Sequence, residues 1–131
     1  MSITSQNQLS IFHGGVHVFS VDGGHTINHV VNDLNIAQDV LVSRGCVMLD
    51  DFFGRVWPTV TEGFFKFMEG HNRRLAPYLI FQNKLFLTTF SEHESVLSQL
   101  RNYLDERIGD EIHTEHWRYS SLCGFKVLCN G

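Results

Sequence analysis

Two prolines in 131 residues leave little to interrupt regular structure, and three cysteines leave little for cross-linking. Cys46, Cys123 and Cys129 are odd in number, and no C-x-x-C pair is present. That argues against a zinc knot and against a disulfide framework. The thiols read as reduced and packed, which points to a cytoplasmic protein. The stretch "MSITSQNQLSIF" has no basic region and no apolar core, so it does not read as a signal peptide. No apolar run reaches the roughly 20 residues that a spanning helix needs, so no membrane contact is expected. Positive charge is also scarce. Ten Lys and Arg face fourteen Asp and Glu, for a net charge of −4 and a pI near 6.0. "HNRRL" is too short for a basic patch, so nucleic acid is not an expected partner.

What is present is apolar. Hydrophobic residues make up 43% of the chain, and eleven are Phe. This length supports one domain with a real core. The Phe load predicts a buried sheet, or surface buried in an oligomer. Residues 1–10 are polar and read as a loose terminal arm. "VHVFSV" (16–21) is a short β-rich run, patterned for a strand covered on both faces. Thr26 can cap a helix on which Ile27, Val30, Val31, Leu34 and Leu41 recur at helical spacing. "GCVMLDDF" (45–52) is a second strand ending at two acids. The spacing allows a crossover, so these strands should be parallel, with a right-handed connection.

Pro58 suits the first turn of the next helix, with Val60, Phe64, Phe67 and Met68 on its apolar face. The Phe64, Phe65 and Phe67 cluster is most simply core. "EGHNRR" (69–74) is a polar loop. "LAPYLIFQNKLFLTTF" (75–90) predicts an antiparallel hairpin turning through residues 82–84. Ser91 and Glu94 form a capping-box pattern before a helix bearing Val96, Leu97, Leu100, Leu104 and Ile108, closed by Gly109. "HTEH" (113–116) lacks helical metal-ligand spacing and reads as a solvated loop. "FKVLC" (125–129) can form a last strand.

The chemistry concentrates where the first two strands end. Open α/β sheets bind ligands outside the carboxyl ends of their strands. Asp22 ends the first strand; Asp50 and Asp51 end the second. Neighbouring strand ends lie about 5 Å apart. Three converging carboxylates repel unless a cation sits among them, and oxygen ligands suit Mg²⁺ or Ca²⁺. Such an ion could lower the pKa of a substrate oxygen, and His25 could take the proton as general base. The structural alternative remains open: Asp22 before two glycines can be a helix-capping turn, Asp50 and Asp51 a polar strand end, and His25 a loop residue. "DGGH" follows a strand as phosphate loops do, but neither phosphate-loop pattern is present.

The ordered series "VDGGHT", "NDL" (32–34), "RGCVMLDDFF" (44–53), "WPTVTEGFFKFM" (57–68) and "LAPYLIFQNKLFL" (75–87) resembles the C-terminal half of class I S-adenosylmethionine-dependent methyltransferases. More narrowly, it resembles metal-assisted O-methyltransferase-like families with an Asp-Gly-x-His element. The resemblance covers residues 16–90 and weakens beyond. It implies that Asp22, Asp50 and Asp51 hold Mg²⁺ and that His25 is the catalytic base. It also implies that residues 16–21 form the family's fourth strand and residues 46–49 its fifth, with the hairpin supplying the sixth and seventh. The expected fold is thus α/β: a partial Rossmann-like methyltransferase sheet, parallel strands plus a C-terminal antiparallel hairpin, with flanking helices.

The departure is as informative. The family's cofactor half carries a Gly-rich loop and a ribose-binding acid, and neither matches anything here. The sequence reads as one truncated domain over 1–131, with 1–15 as a terminal arm, and the donor S-adenosylmethionine lacks its usual loop. "VHVFSV" would then become an apolar edge, which invites pairing. The expected partner is a second copy, joined through residues 16–21 or through exchange of an arm bearing Leu9, Ile11 and Phe12. Three functions follow. The chain is a dimeric module that binds a metal or a small molecule. Or it is a Mg²⁺-dependent O-methyltransferase completed by a second chain. Or it is a structural remnant whose acids are relics. Fold alone does not choose.

Overall fold

The structure is a computed structural model that describes residues 15–22, 24–107 and 117–130. The N-terminal arm with Leu9, Ile11 and Phe12, the helix end at Ile108 and Gly109, and "HTEH" lie outside the described residues.

Among the described residues, six strands form one mixed sheet flanked by three helices. In chain order these are β1 (Val16–Val21), α1 (Ile27–Val40), β2 (Leu41–Leu49), α2 (Pro58–Met68), β3 (Leu75–Phe81), β4 (Lys84–Thr89), α3 (His93–Arg107), β5 (Trp117–Leu122) and β6 (Phe125–Asn130). The spatial order is β1-β2-β4-β3-β6-β5. β1 and β2 are parallel, joined by α1 as their spacing requires. β3 and β4 form the expected hairpin, and β4 inserts beside β2.

α1 starts where Thr26 accepts a hydrogen bond from the His29 N–H at 3.1 Å. Its inner residues Val30, Leu34, Ile36 and Ala37 meet Val60, Phe64, Phe67 and Met68 of α2 over Phe19, Val21, Val47, Leu49, Leu85 and Leu87 of the sheet. This is the main core. Gly63 permits the close approach of the helices, since a Cβ there would lie 2.6 Å from Val30 Cβ. α3 lays Leu97 and Leu104 on the other face, against Tyr78 and Leu128. Its first residue, the buried His93, brings Nε2 to 2.9 Å from the carbonyls of both Pro77 and Lys126, tying β3 to β6.

Five expectations change. Phe64 and Phe67 are core as expected, but Phe65 is 38% exposed. β1 is covered on one face only: Phe19 and Val21 are buried, whereas Val18 is 57% exposed. An apolar run cannot say by itself which of its faces finds a helix. Leu41 begins β2 rather than ending α1, and β2 extends four residues earlier than the apolar run suggests. It does so through an irregular stretch, where the register jumps from Val16↔Leu41 to Val18↔Cys46. Arg44 there has φ 64°, and Thr88 donates to the Gly45 carbonyl at 2.8 Å. Ser91 lies inside a 3₁₀ turn (Phe90–Glu92) that leads into α3, so the helical run opens before it. Finally, the polar stretch before the last strand contains β5, which pairs with β6 at the far edge.

Candidate functional site

Strand register builds the site. Val21 pairs with Leu49, so the residues that follow, Asp22 and Asp50, leave adjacent parallel strands side by side. The Asp50 N–H donates to the Val21 carbonyl at 3.2 Å and fixes the two ends together. Antiparallel pairing of Leu49 with Leu85 places Lys84 opposite Asp50. Its ammonium lies 3.0 Å from Asp50 Oδ1.

The turn after β2 is held tightly. Asp51 has φ 60° and Phe53 φ 57°, left-handed backbone that a bulky side chain adopts rarely. Three bonds hold it there. The Phe52 N–H donates to the Asn83 carbonyl at 2.8 Å, the Gly54 N–H to the Asp51 carbonyl at 3.1 Å, and the Phe53 N–H to Thr61 Oγ1 at 2.8 Å. The buried Phe52 ring packs edge-on against Phe64 at 5.2 Å. A fixed turn aims the Asp51 carboxylate back at the strand ends.

Asp22, Asp50 and Asp51 accordingly converge, with one carboxylate oxygen from each lying within 4.8 Å of the others. Asp22 is exposed; Asp50 and Asp51 are half-buried. Burial pushes the Asp50 carboxyl up. The Lys84 hydrogen bond and charge, the Asp51 backbone N–H and a hydrogen bond with Asp22 outweigh it, so its pKa falls below the ordinary carboxylate value.

His25 joins the group. Its Nε2 lies 3.2 Å from Asp51 Oδ2. The imidazole stacks on Trp57, centroids 3.9 Å apart and planes within 7°. Thr59 Oγ1 donates to the His25 carbonyl. Ring and backbone are therefore both fixed. Beside them an open groove of about 550 Å³ runs along His25, Thr26, Asn28, Trp57 and Thr59. Phe53, Val56 and Trp57 are exposed apolar side chains at 58%, 76% and 42%. A groove of that volume is within the range of small-molecule sites.

All four site residues expected from the sequence lie together. Lys84, Trp57 and Thr59 were not foreseen. Lys84 had a signal, because a hairpin strand placed beside β2 must bring its first residue to Asp50. Trp57 and Thr59 had none, since their contacts depend on the path of the loop between β2 and α2.

The donors fit a hard cation. All are carboxylate oxygens, one from each acid within 4.8 Å of the others, and hard divalent cations take oxygen ligands. Lys84 engages Oδ1 of Asp50 and His25 engages Oδ2 of Asp51, so each carboxylate keeps a second oxygen.

Residues 1–52 match a family described as a methyltransferase domain. The match reaches one residue past Asp51 and spans Asp22, His25, Asp50 and Asp51. No curated protein matches the chain. Over that stretch the chain is methyltransferase-like, and the mixed sheet with its flanking helices is compatible with a partial Rossmann-like methyltransferase fold.

Proposed function

We propose that the chain is a methyltransferase-like module that binds a divalent cation and a small molecule, and that it works as a dimer rather than as a self-sufficient enzyme. The convergence of Asp22, Asp50 and Asp51 within 4.8 Å carries this reading. Mg²⁺ is the cation of choice, since the donors are all oxygen and Mg²⁺ keeps waters that a ligand oxygen can replace. The groove beside His25 receives the ligand. The free thiols Cys46, Cys123 and Cys129 support a reducing, cytoplasmic setting.

The contact between His25 and Asp51 favours a second reading, a Mg²⁺-dependent O-methyltransferase completed by a second chain. A bound cation would lower the pKa of an acceptor hydroxyl. With Nε2–H held by Asp51, the Nδ1 lone pair of His25 takes the hydroxyl proton. S-adenosylmethionine, held with the help of the second chain, would supply the methyl group for that oxygen. Trp57 keeps the imidazole in one plane throughout.

Thermal unfolding with and without Mg²⁺ tests the cation. Saturating Mg²⁺ should raise the melting temperature of the wild type, since binding at 100 times Kd adds about 2.7 kcal/mol. Asp22→Ala should abolish the rise. A wild type indifferent to Mg²⁺ sinks the cation site and leaves the acids as structural relics. Calorimetric titration of S-adenosylmethionine with Mg²⁺ present then separates the two readings. The module should show no saturable binding, whereas micromolar binding shifts the assignment to the enzyme.

A further inference from the structure

The first turn of α2 departs from what a helix start favours. Trp57 holds the N-cap position and makes no side-chain capping bond. Ser, Thr, Asp or Asn is preferred there, and doing without one costs about 1 kcal/mol. Threonines do follow, at positions 59 and 61, yet both hydroxyls bond outside the helix. Thr59 Oγ1 donates to the His25 carbonyl, and Thr61 Oγ1 accepts from the Phe53 N–H at 2.8 Å. Sequences break a local preference where another demand wins. Here the demand comes from the two loops that carry the acids and His25.

Each contact has its own effect. Trp57 stacks on the imidazole of His25, centroids 3.9 Å apart. Thr59 tethers the backbone of the same residue across 34 positions of the chain. Thr61 tethers the turn in which Asp51 takes φ 60°. His25 and Asp51, which meet at 3.2 Å, are thus both held from one helical turn. That turn is itself fixed. Pro58 restricts φ at its start. Gly63 seats α2 on α1 so closely that a Cβ there would lie 2.6 Å from Val30 Cβ. α1 in turn begins two residues after His25.

We propose that Thr59 is a positioning residue for His25: by holding the backbone it sets the imidazole on Trp57 and aims the working nitrogen. The proposal rests on the reading that makes His25 the base. With Nε2 engaged by Asp51, Nδ1 is the nitrogen left to accept a proton. A base acts only within hydrogen-bond reach of the proton it takes, and a misplacement of about 1 Å costs about a hundredfold. His25 follows two glycines, which leave the backbone its widest choice of conformation. The tether from α2 removes that choice. The cation cluster is built from Asp22, Asp50 and Asp51, so Thr59 governs the position of the base and leaves cation binding alone.

NMR of the full chain, with a Mg²⁺ titration, tests it. In the wild type the ring protons of His25 should lie upfield of those of the exposed His17, because they sit in the ring current of Trp57. Thr59→Val keeps the shape of the side chain and removes the donor. It should abolish most of that upfield displacement, while the Mg²⁺ midpoint stays within about twofold of the wild type. Thr59→Ser should restore the displacement, since it returns the hydroxyl. Asp22→Ala should do the reverse, losing the Mg²⁺ response and keeping the displacement. His25 protons unmoved in Thr59→Val overturn the proposal. So does a displacement that Thr59→Ser fails to recover, or a Thr59→Val protein that loses its Mg²⁺ response as well. A wild type that ignores Mg²⁺ overturns the cation reading instead, and the ring shift still reports on Thr59.

Discussion

Asp33 lies on the inner face of α1 at 2% exposure, and its Oδ2 is buried without a hydrogen-bond partner. Burial pushes its pKa up to about 6, partly opposed by the nearby His29. The unfolded chain titrates this group near 3.8. Above pH 6 the carboxylate is charged in both states, and folding bears the full cost of burying it. As pH falls through 6 the folded chain takes up a proton first, and the cost shrinks until both states are protonated below 3.8. Asp33→Asn should therefore stabilise the protein at pH 7 by about 2–3 kcal/mol, at 1.36 kcal/mol per unit. The advantage should fade towards pH 4. Urea unfolding of both proteins across that range measures it, and a difference independent of pH would show that Asp33 titrates alike in the folded and the unfolded chain. Little in the sequence warns of this. At the residue scale it exposes chemistry at strand ends, where Asp22, His25, Asp50 and Asp51 stand next to glycines or one another. An acid amid a helix reads as solvated until the packing of that helix is known.

At the scale of elements, pairing is what turns separate residues into a site. The parallel β1–α1–β2 unit was legible because apolar runs, a cap at Thr26 and the crossover length all agreed. The β3–β4 hairpin was legible for the same reason. What neither disclosed was that β4 lies beside β2, and that neighbour is what delivers Lys84 to Asp50. β5 was illegible for another cause. "WRYSSL" buries none of its side chains fully, so no alternation marks it as a strand. Lys84 then carries a prediction of its own. It already offsets part of the repulsion among the acids, so it competes with any divalent cation for Asp50. Lys84→Met should lower the melting temperature without Mg²⁺ and tighten Mg²⁺ binding about tenfold, or about 1.4 kcal/mol. Paired melts over a Mg²⁺ series check this. An unchanged midpoint concentration would place Lys84 outside the charge balance of the site.

On the scale of the whole molecule, the described sheet has two edges of different character. The β5 edge is guarded: Arg118, Tyr119, Ser120 and Ser121 are exposed, and the Lys126 ammonium sits 4.0 Å from the Tyr119 ring centroid. Charged and polar side chains of this kind discourage strand addition. The β1 edge carries no such guard. Val18 is 57% exposed and His17 is exposed beside it, while Phe19 and Val21 anchor the strand rigidly to the core. An apolar strand with no outer partner among the described residues is a template for another. We therefore expect the dimer to form by antiparallel pairing of β1 with its counterpart across a twofold axis, which would lay the second copy beside the strand that ends at Asp22. Sedimentation at about 10 μM, in a range where specific dimers persist, should show the wild type at twice the monomer mass. Val18→Lys should give the monomer with its fold intact by circular dichroism, because a lysine on an edge strand resists pairing without disturbing the buried face. The Mg²⁺ response of that monomer then decides what the dimer is for. If the response persists, the three acids act within one chain and the second copy serves the groove or the donor side. If it vanishes along with the dimer, the second copy completes the cation site itself.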